Sequence, residues 1–89
     1  MQKFDRVGLT MTNINEAELL IGISDALEVE PSSITISTVS TEVEEWDSLG
    51  HIAIMSYLDK SFEEITERVP EFASATSVKE IFDLLSQYL

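Results

Sequence analysis

The sequence predicts an all-α fold: a small bundle of three main helices plus one short helix, with a long loop between helices 1 and 2. Three observations carry this. Apolar residues recur at helical spacing in three separate stretches. Helix-opening residues stand just ahead of those stretches, and prolines at 31 and 70 interrupt the segments between them. Of the 89 residues, 44% are hydrophobic, yet no apolar run approaches the roughly 20 residues of a membrane span. That length allows a single small domain.

Residues 1–12 show no clear period and read as an N-terminal tail, with the domain proper over 13–89. Met11 offers a second start, and a turn of helix in this stretch stays open. The first helix is predicted over about Ile14–Glu28, with Asn13 as N-cap and Glu16 three residues on, the spacing of a capping box. Leu19, Leu20, Ile23 and Leu27 form its apolar stripe. Gly22 weakens it by about 1 kcal/mol relative to Ala unless close packing requires a glycine there. Pro31 prevents continuation.

From Ser32 to Glu45 the chain is rich in Ser and Thr. Ile34, Ile36 and Val39 hint at a strand, but no partner strand is apparent. A long loop pinned by those side chains is the preferred reading. Trp46 is expected to fasten its far end.

A second helix follows over about Ser48–Phe62. On a helical wheel, His51, Ile54, Met55, Leu58 and Phe62 share one arc and face the core. Leu49, Ile52, Ala53, Ser56 and Lys60 fall on the opposite side, a candidate docking patch that scattered surface apolar residues would equally explain. A short helical turn is expected around Glu67–Ala73, with Pro70 in its first turn, and Ile65, Val69 and Phe72 closing the bundle. The last helix, about Val78–Tyr88, opens with Ser77 and Glu80 as a capping box. Its core stripe is Val78, Ile81, Phe82, Leu85 and Leu89.

Seventeen acids against five bases give a formal charge of −12. Such a surface repels nucleic-acid phosphates and is drawn to basic patches on protein partners. Cysteine is absent, which excludes disulfides, thiolate metal sites and a cysteine nucleophile, so a reactive thiol could come only from an attached group. Met1–Thr10 lacks the apolar core of a signal peptide, and the expectation is a cytoplasmic protein. Glu42, Glu44, Glu45 and Asp47 cluster without the glycine turn and ligand spacing of a calcium loop, and read as a solvated acidic segment. No metal is expected.

The stretch Glu44-Glu45-Trp46-Asp47-Ser48-Leu49-Gly50-His51-Ile52 concentrates the chemistry. Asp47 and Ser48 are both suited to cap the second helix, where free amides and the helix dipole are receptive to an anion. A Ser48–His51 catalytic pair is disfavoured. His51, the one histidine, points inward on the wheel, and the flanks lack the glycines of a nucleophile elbow.

Asp47-Ser48-Leu49 leading into an amphipathic helix, within a small acidic chain of helical segments, resembles the attachment motif of acyl and peptidyl carrier proteins. The resemblance covers roughly residues 13–89. It implies a right-turning bundle in which Ser48 bears a 4′-phosphopantetheine arm, donated by coenzyme A through a magnesium-dependent phosphopantetheinyl transferase. Asp47 and Leu49 would belong to the motif that the transferase recognises, and Leu49 and Ile52 match positions that contact partner enzymes. Such a protein is not itself an enzyme. It is expected to act as a monomer, with an acyl- or aminoacyl-activating ligase and downstream acyl-processing enzymes as partners, and neither nucleic acid nor membrane. Carriers of fatty acid synthesis usually present acids two and five positions after the serine. Here those places hold Gly50 and Ala53, with Lys60 further along, which favours a specialised stand-alone carrier. The alternative is an acidic helical interaction module without a prosthetic group.

Overall fold

The computed structural model describes residues 15–89, so the expectations for residues 1–12 and for Asn13 and Ile14 lie outside it. Among the described residues the order is α1 (Glu16–Leu27), 3₁₀ turns at Pro31–Ser33 and Ser40–Glu42, and α2 (Ser48–Ser61). Then follow α3 (Ile65–Arg68), a 3₁₀ segment at Pro70–Ser74, and α4 (Val78–Tyr88). There is no strand among them, and no helix long and apolar enough to cross a membrane. The all-α expectation holds: three long helices, one short one, and a long loop between the first two.

α1 is capped by Asn15, whose Oδ1 accepts from the Glu18 amide at 3.2 Å. Its extended backbone (φ −92°, ψ 119°) turns that side chain onto the first-turn amide. At the far end Glu28 adopts a left-handed conformation (φ 61°, ψ 42°), and the Val29 amide reaches back to the Ser24 carbonyl at 2.9 Å. That closure ends the helix before Pro31 can.

Leu19, Ile23 and Leu27 of α1 pack against Ile54 and Leu58 of α2, the largest of the helix contacts. Gly22 permits the approach: a Cβ there would collide with the Tyr57 ring. The expected propensity loss of about 1 kcal/mol is therefore set against close packing. Ile65, Phe72, Val78, Ile81 and Leu85 complete the core. At the margins of the predicted α2 stripe, His51, Met55 and Phe62 are only half-buried.

The short turn expected around Glu67–Ala73 is instead two pieces joined at Val69. Pro70 lacks an amide proton and drives the residue before it out of the helical region, and Val69 lies at φ −129°, ψ 86°. α3 starts earlier because Asp59 of α2 accepts from the Thr66 amide at 2.9 Å and from its hydroxyl at 2.7 Å. Ser77 caps α4, accepting from the Glu80 amide at 3.1 Å. The reciprocal half of the expected capping box is displaced by one residue. Glu80 Oε1 reaches past Ser77 to accept from the Thr76 amide and, at 2.9 Å, from the Thr76 hydroxyl.

The loop between α1 and α2 is tied down along its length. Ile34 is buried in the core and contributes about 2 kcal/mol by leaving water. Val39 pairs with Ser77 in a single antiparallel bridge. The Ser40 amide donates to the Thr76 carbonyl at 2.7 Å, and the Val78 amide to the Thr38 carbonyl at 3.0 Å. Val39 thus has a partner after all, at the start of α4, too short to make a strand.

Candidate functional site

Everything at the head of α2 follows from the turn that delivers it. The Trp46 amide donates to the Val43 carbonyl at 2.9 Å, and the indole folds inward until it is 6% exposed. Its Nε1–H donates to His51 Nδ1 at 2.9 Å. The two rings are nearly coplanar (15°) with centroids 6.2 Å apart, the geometry of an in-plane hydrogen bond and not of a face-to-face stack. With Nδ1 accepting, the imidazole proton sits on Nε2, which donates to the Phe72 carbonyl at 3.0 Å. His51 therefore pins the loop end to α2, and α2 to the 3₁₀ segment. Both its ring nitrogens are committed to partners other than Ser48.

Asp47 and Ser48, equally suited to capping by residue type, have separate positions. Asp47 is the N-cap, and its Oδ1 accepts from the Gly50 amide at 2.9 Å. Ser48 is the first residue of the helix, exposed, with its hydroxyl not drawn into the cap. The His51 amide makes the first intrahelical bond, to the Asp47 carbonyl at 2.8 Å, so the Ser48 and Leu49 amides precede the ladder.

Leu49 and Ile52 are 76% and 60% exposed, and Ser56 is exposed on the same face. Ala53 is half-buried and belongs to the edge of that patch. Gly50, two places after Ser48, is buried. A Cβ there would collide with the Glu45 carbonyl oxygen and meet Leu27 Cδ2 at 2.8 Å. No side chain fits at 50, acidic or otherwise, while the 43–47 turn stays in place.

Ser48 stands on the rim of a cleft of about 530 Å³. One wall is the start of α2 with Trp46 and Asp47, and the other is Ala73–Thr76 with Ser40 beside it. Its volume lies in the range of small-molecule sites. The lining mixes apolar groups (Trp46, Ile52, Ala73, Ala75) with hydroxyls of Ser40, Ser48, Ser74 and Thr76, and among the described residues contains no lysine or arginine. Sequence reasoning missed the second wall. Its residues are small, aperiodic and far along the chain, and reach the site only through the ties between residues 38–40 and 76–78.

The acidic segment before the site is partly structural: Glu42 Oε1 accepts from the Val39 amide at 3.0 Å. Among the described residues no three Asp, Glu or His side chains converge as metal ligands would.

No protein-family profile, characterised protein or solved structure matches this chain.

Proposed function

We propose that this chain is a carrier, with a 4′-phosphopantetheine arm attached to Ser48 and acyl or aminoacyl cargo held on it as a thioester. The observation that carries the reading is the division of labour at the head of α2. Asp47 takes the capping bond, which leaves the Ser48 hydroxyl exposed and free at the rim of a cleft. A capping serine would have been a structural device, whereas this one is spare.

The residues present fit the group. A phosphodiester on Ser48 Oγ would lie at the positive end of a 14-residue helix, where the Ser48 and Leu49 amides precede the hydrogen-bond ladder. The mixed apolar and hydroxyl lining suits an arm that alternates methylene and amide groups. When bound, the arm supplies the thiol that a chain without cysteine lacks. Ser48 Oγ would take the phosphopantetheinyl group from coenzyme A, losing its proton and releasing adenosine 3′,5′-bisphosphate, on a magnesium-dependent transferase that reads Asp47-Ser48-Leu49. The chain's own part is to hold the serine outward and present Leu49 and Ile52 to successive enzymes. Weak, charge-steered docking lets it leave each of them quickly. An adenylating acyl- or aminoacyl-ligase would load it.

The test is the intact mass after incubation with coenzyme A, magnesium and a broad-specificity phosphopantetheinyl transferase. The parent gains one phosphopantetheinyl group and Ser48→Ala gains none. Failure of the parent to gain mass with several transferases would leave the exposed Leu49–Ile52 face as the mark of an interaction module without a prosthetic group.

A further inference from the structure

The wall of the cleft opposite Ser48 has a chemical polarity of its own. The Thr76 hydroxyl donates to Glu80 Oε1 at 2.9 Å, and the Ser74 hydroxyl donates to the Glu71 carbonyl at 3.2 Å. Both protons are spent on protein acceptors, so what these side chains turn to a ligand is lone pairs. Asp47 adds a carboxylate on the facing rim, and Glu80 stands directly behind Thr76. Among the described residues no cation lines the cleft. Two of the described bases are engaged elsewhere: Lys79 is paired with Asp83 at 2.9 Å, and Arg68 donates to the Phe62 carbonyl at 3.1 Å. Phe72, Leu19, Ile54 and Leu58 are fully buried in the bundle interior, and the cleft beside Ser48 opens to solvent.

We infer that the cargo is a small aminoacyl group, its α-ammonium donating to Thr76 Oγ1 and Ser74 Oγ under the field of Asp47 and Glu80. This rests on the carrier reading and narrows it. A cation with several N–H donors matches a wall of acceptors in an acidic setting. A carboxylate-bearing cargo such as a malonyl-type group would meet lone pairs and like charge. A long alkyl chain would leave most of its surface in water, because an open cleft that also holds the arm has no room to enclose it.

The experiment loads the full chain at Ser48 with synthetic coenzyme A analogues whose end groups are joined by a stable amide. Four forms are compared by amide chemical shifts: the bare arm, an alanyl end, its N-acetylated uncharged counterpart, and a succinyl end. The alanyl form is expected to shift the Ser74 and Thr76 amides beyond the bare arm. The N-acetyl and succinyl forms should lose that shift. Thr76→Val and, separately, Ser74→Ala should each diminish it, and either variant suffices if the other is poorly folded. Equal shifts from the succinyl or N-acetyl form, or none from any end group, would overturn the inference while the loaded serine upheld the carrier reading. If no analogue attaches at all, the carrier reading itself fails, and this inference with it.

Discussion

Replacing Gly50 by alanine tests the framework around Ser48 without touching the serine. In an ordinary helix interior the change would stabilise by about 1 kcal/mol. Here the added methyl collides with the Glu45 carbonyl oxygen, and it would lie 2.8 Å from Leu27 Cδ2 and 3.1 Å from the Glu45 carbonyl carbon. The leucine methyl can turn away. The backbone cannot, because the next residue is held by its amide bond to Val43 and by its indole bond to His51, both 2.9 Å. Overpacking against backbone belongs at the upper end of the usual range, about 3 kcal/mol. Subtracting the propensity gain leaves a net loss of about 2 kcal/mol, or roughly 8–16 °C in Tm for a domain of this size. Circular dichroism melts, with Trp46 fluorescence reporting the turn, would measure it. Gly22→Ala is the comparison, since its obstacle is the side chain of Tyr57 and not backbone. A Gly50→Ala protein that melts at or above the parent temperature would refute this account of the turn.

Three further outcomes follow from the same geometry. Trp46→Phe leaves His51 Nδ1 without its donor in a half-buried site and should cost about 1–2 kcal/mol in urea denaturation; an unchanged midpoint would mean that water replaces the bond freely. Asp47→Ala removes the α2 cap and should cost about 1 kcal/mol, whereas Ser48→Ala should stay within about 0.5 kcal/mol, and the reverse order in chemical denaturation would return the cap to the serine. The amide of Thr76, with its hydroxyl, holds the Glu80 carboxyl below the ordinary carboxylate range. Its stabilising effect is thus complete above the unfolded glutamate's pKa and lost as pH falls through the lowered value. An NMR titration should find Glu80 protonating in more acid solution than an ordinary glutamate, with the Thr76 amide moving in step. Titration at or above the ordinary value would contradict the bond.

Much of this arrangement is legible in the amino-acid sequence alone. The stripes Leu19–Ile23–Leu27, Ile54–Leu58 and Val78–Ile81–Leu85 are all buried, because helical spacing and core burial are two aspects of one constraint. Ser48 and the exposed pair Leu49 and Ile52 stand where the wheel puts them. What escapes a sequence reading is decided by contacts between distant segments. That Asn15 caps α1 turns on its extended backbone, which residue type and spacing do not reveal, since Asn13 and Asn15 each have a glutamate three residues on. The burial of Gly50 is not legible on a wheel, which knows only its own helix, because the Glu45 carbonyl arrives from outside it. The cleft wall at Ala73–Thr76 has no period at all, and only the pairing with residues 38–40 brings it to the serine.

That pairing bears on the order in which the molecule is made. The Thr38–Val78 and Ser40–Thr76 bonds join positions separated by nearly half the chain, so they form only after the intervening helices have been gathered in. The contact of α1 with α2 does not depend on those bonds. The far wall of the cleft waits for the start of α4 to come back to the loop. The exposed serine thus needs only the head of α2, whereas the walls around it need two distant segments joined, and they are the costlier part of the site to assemble.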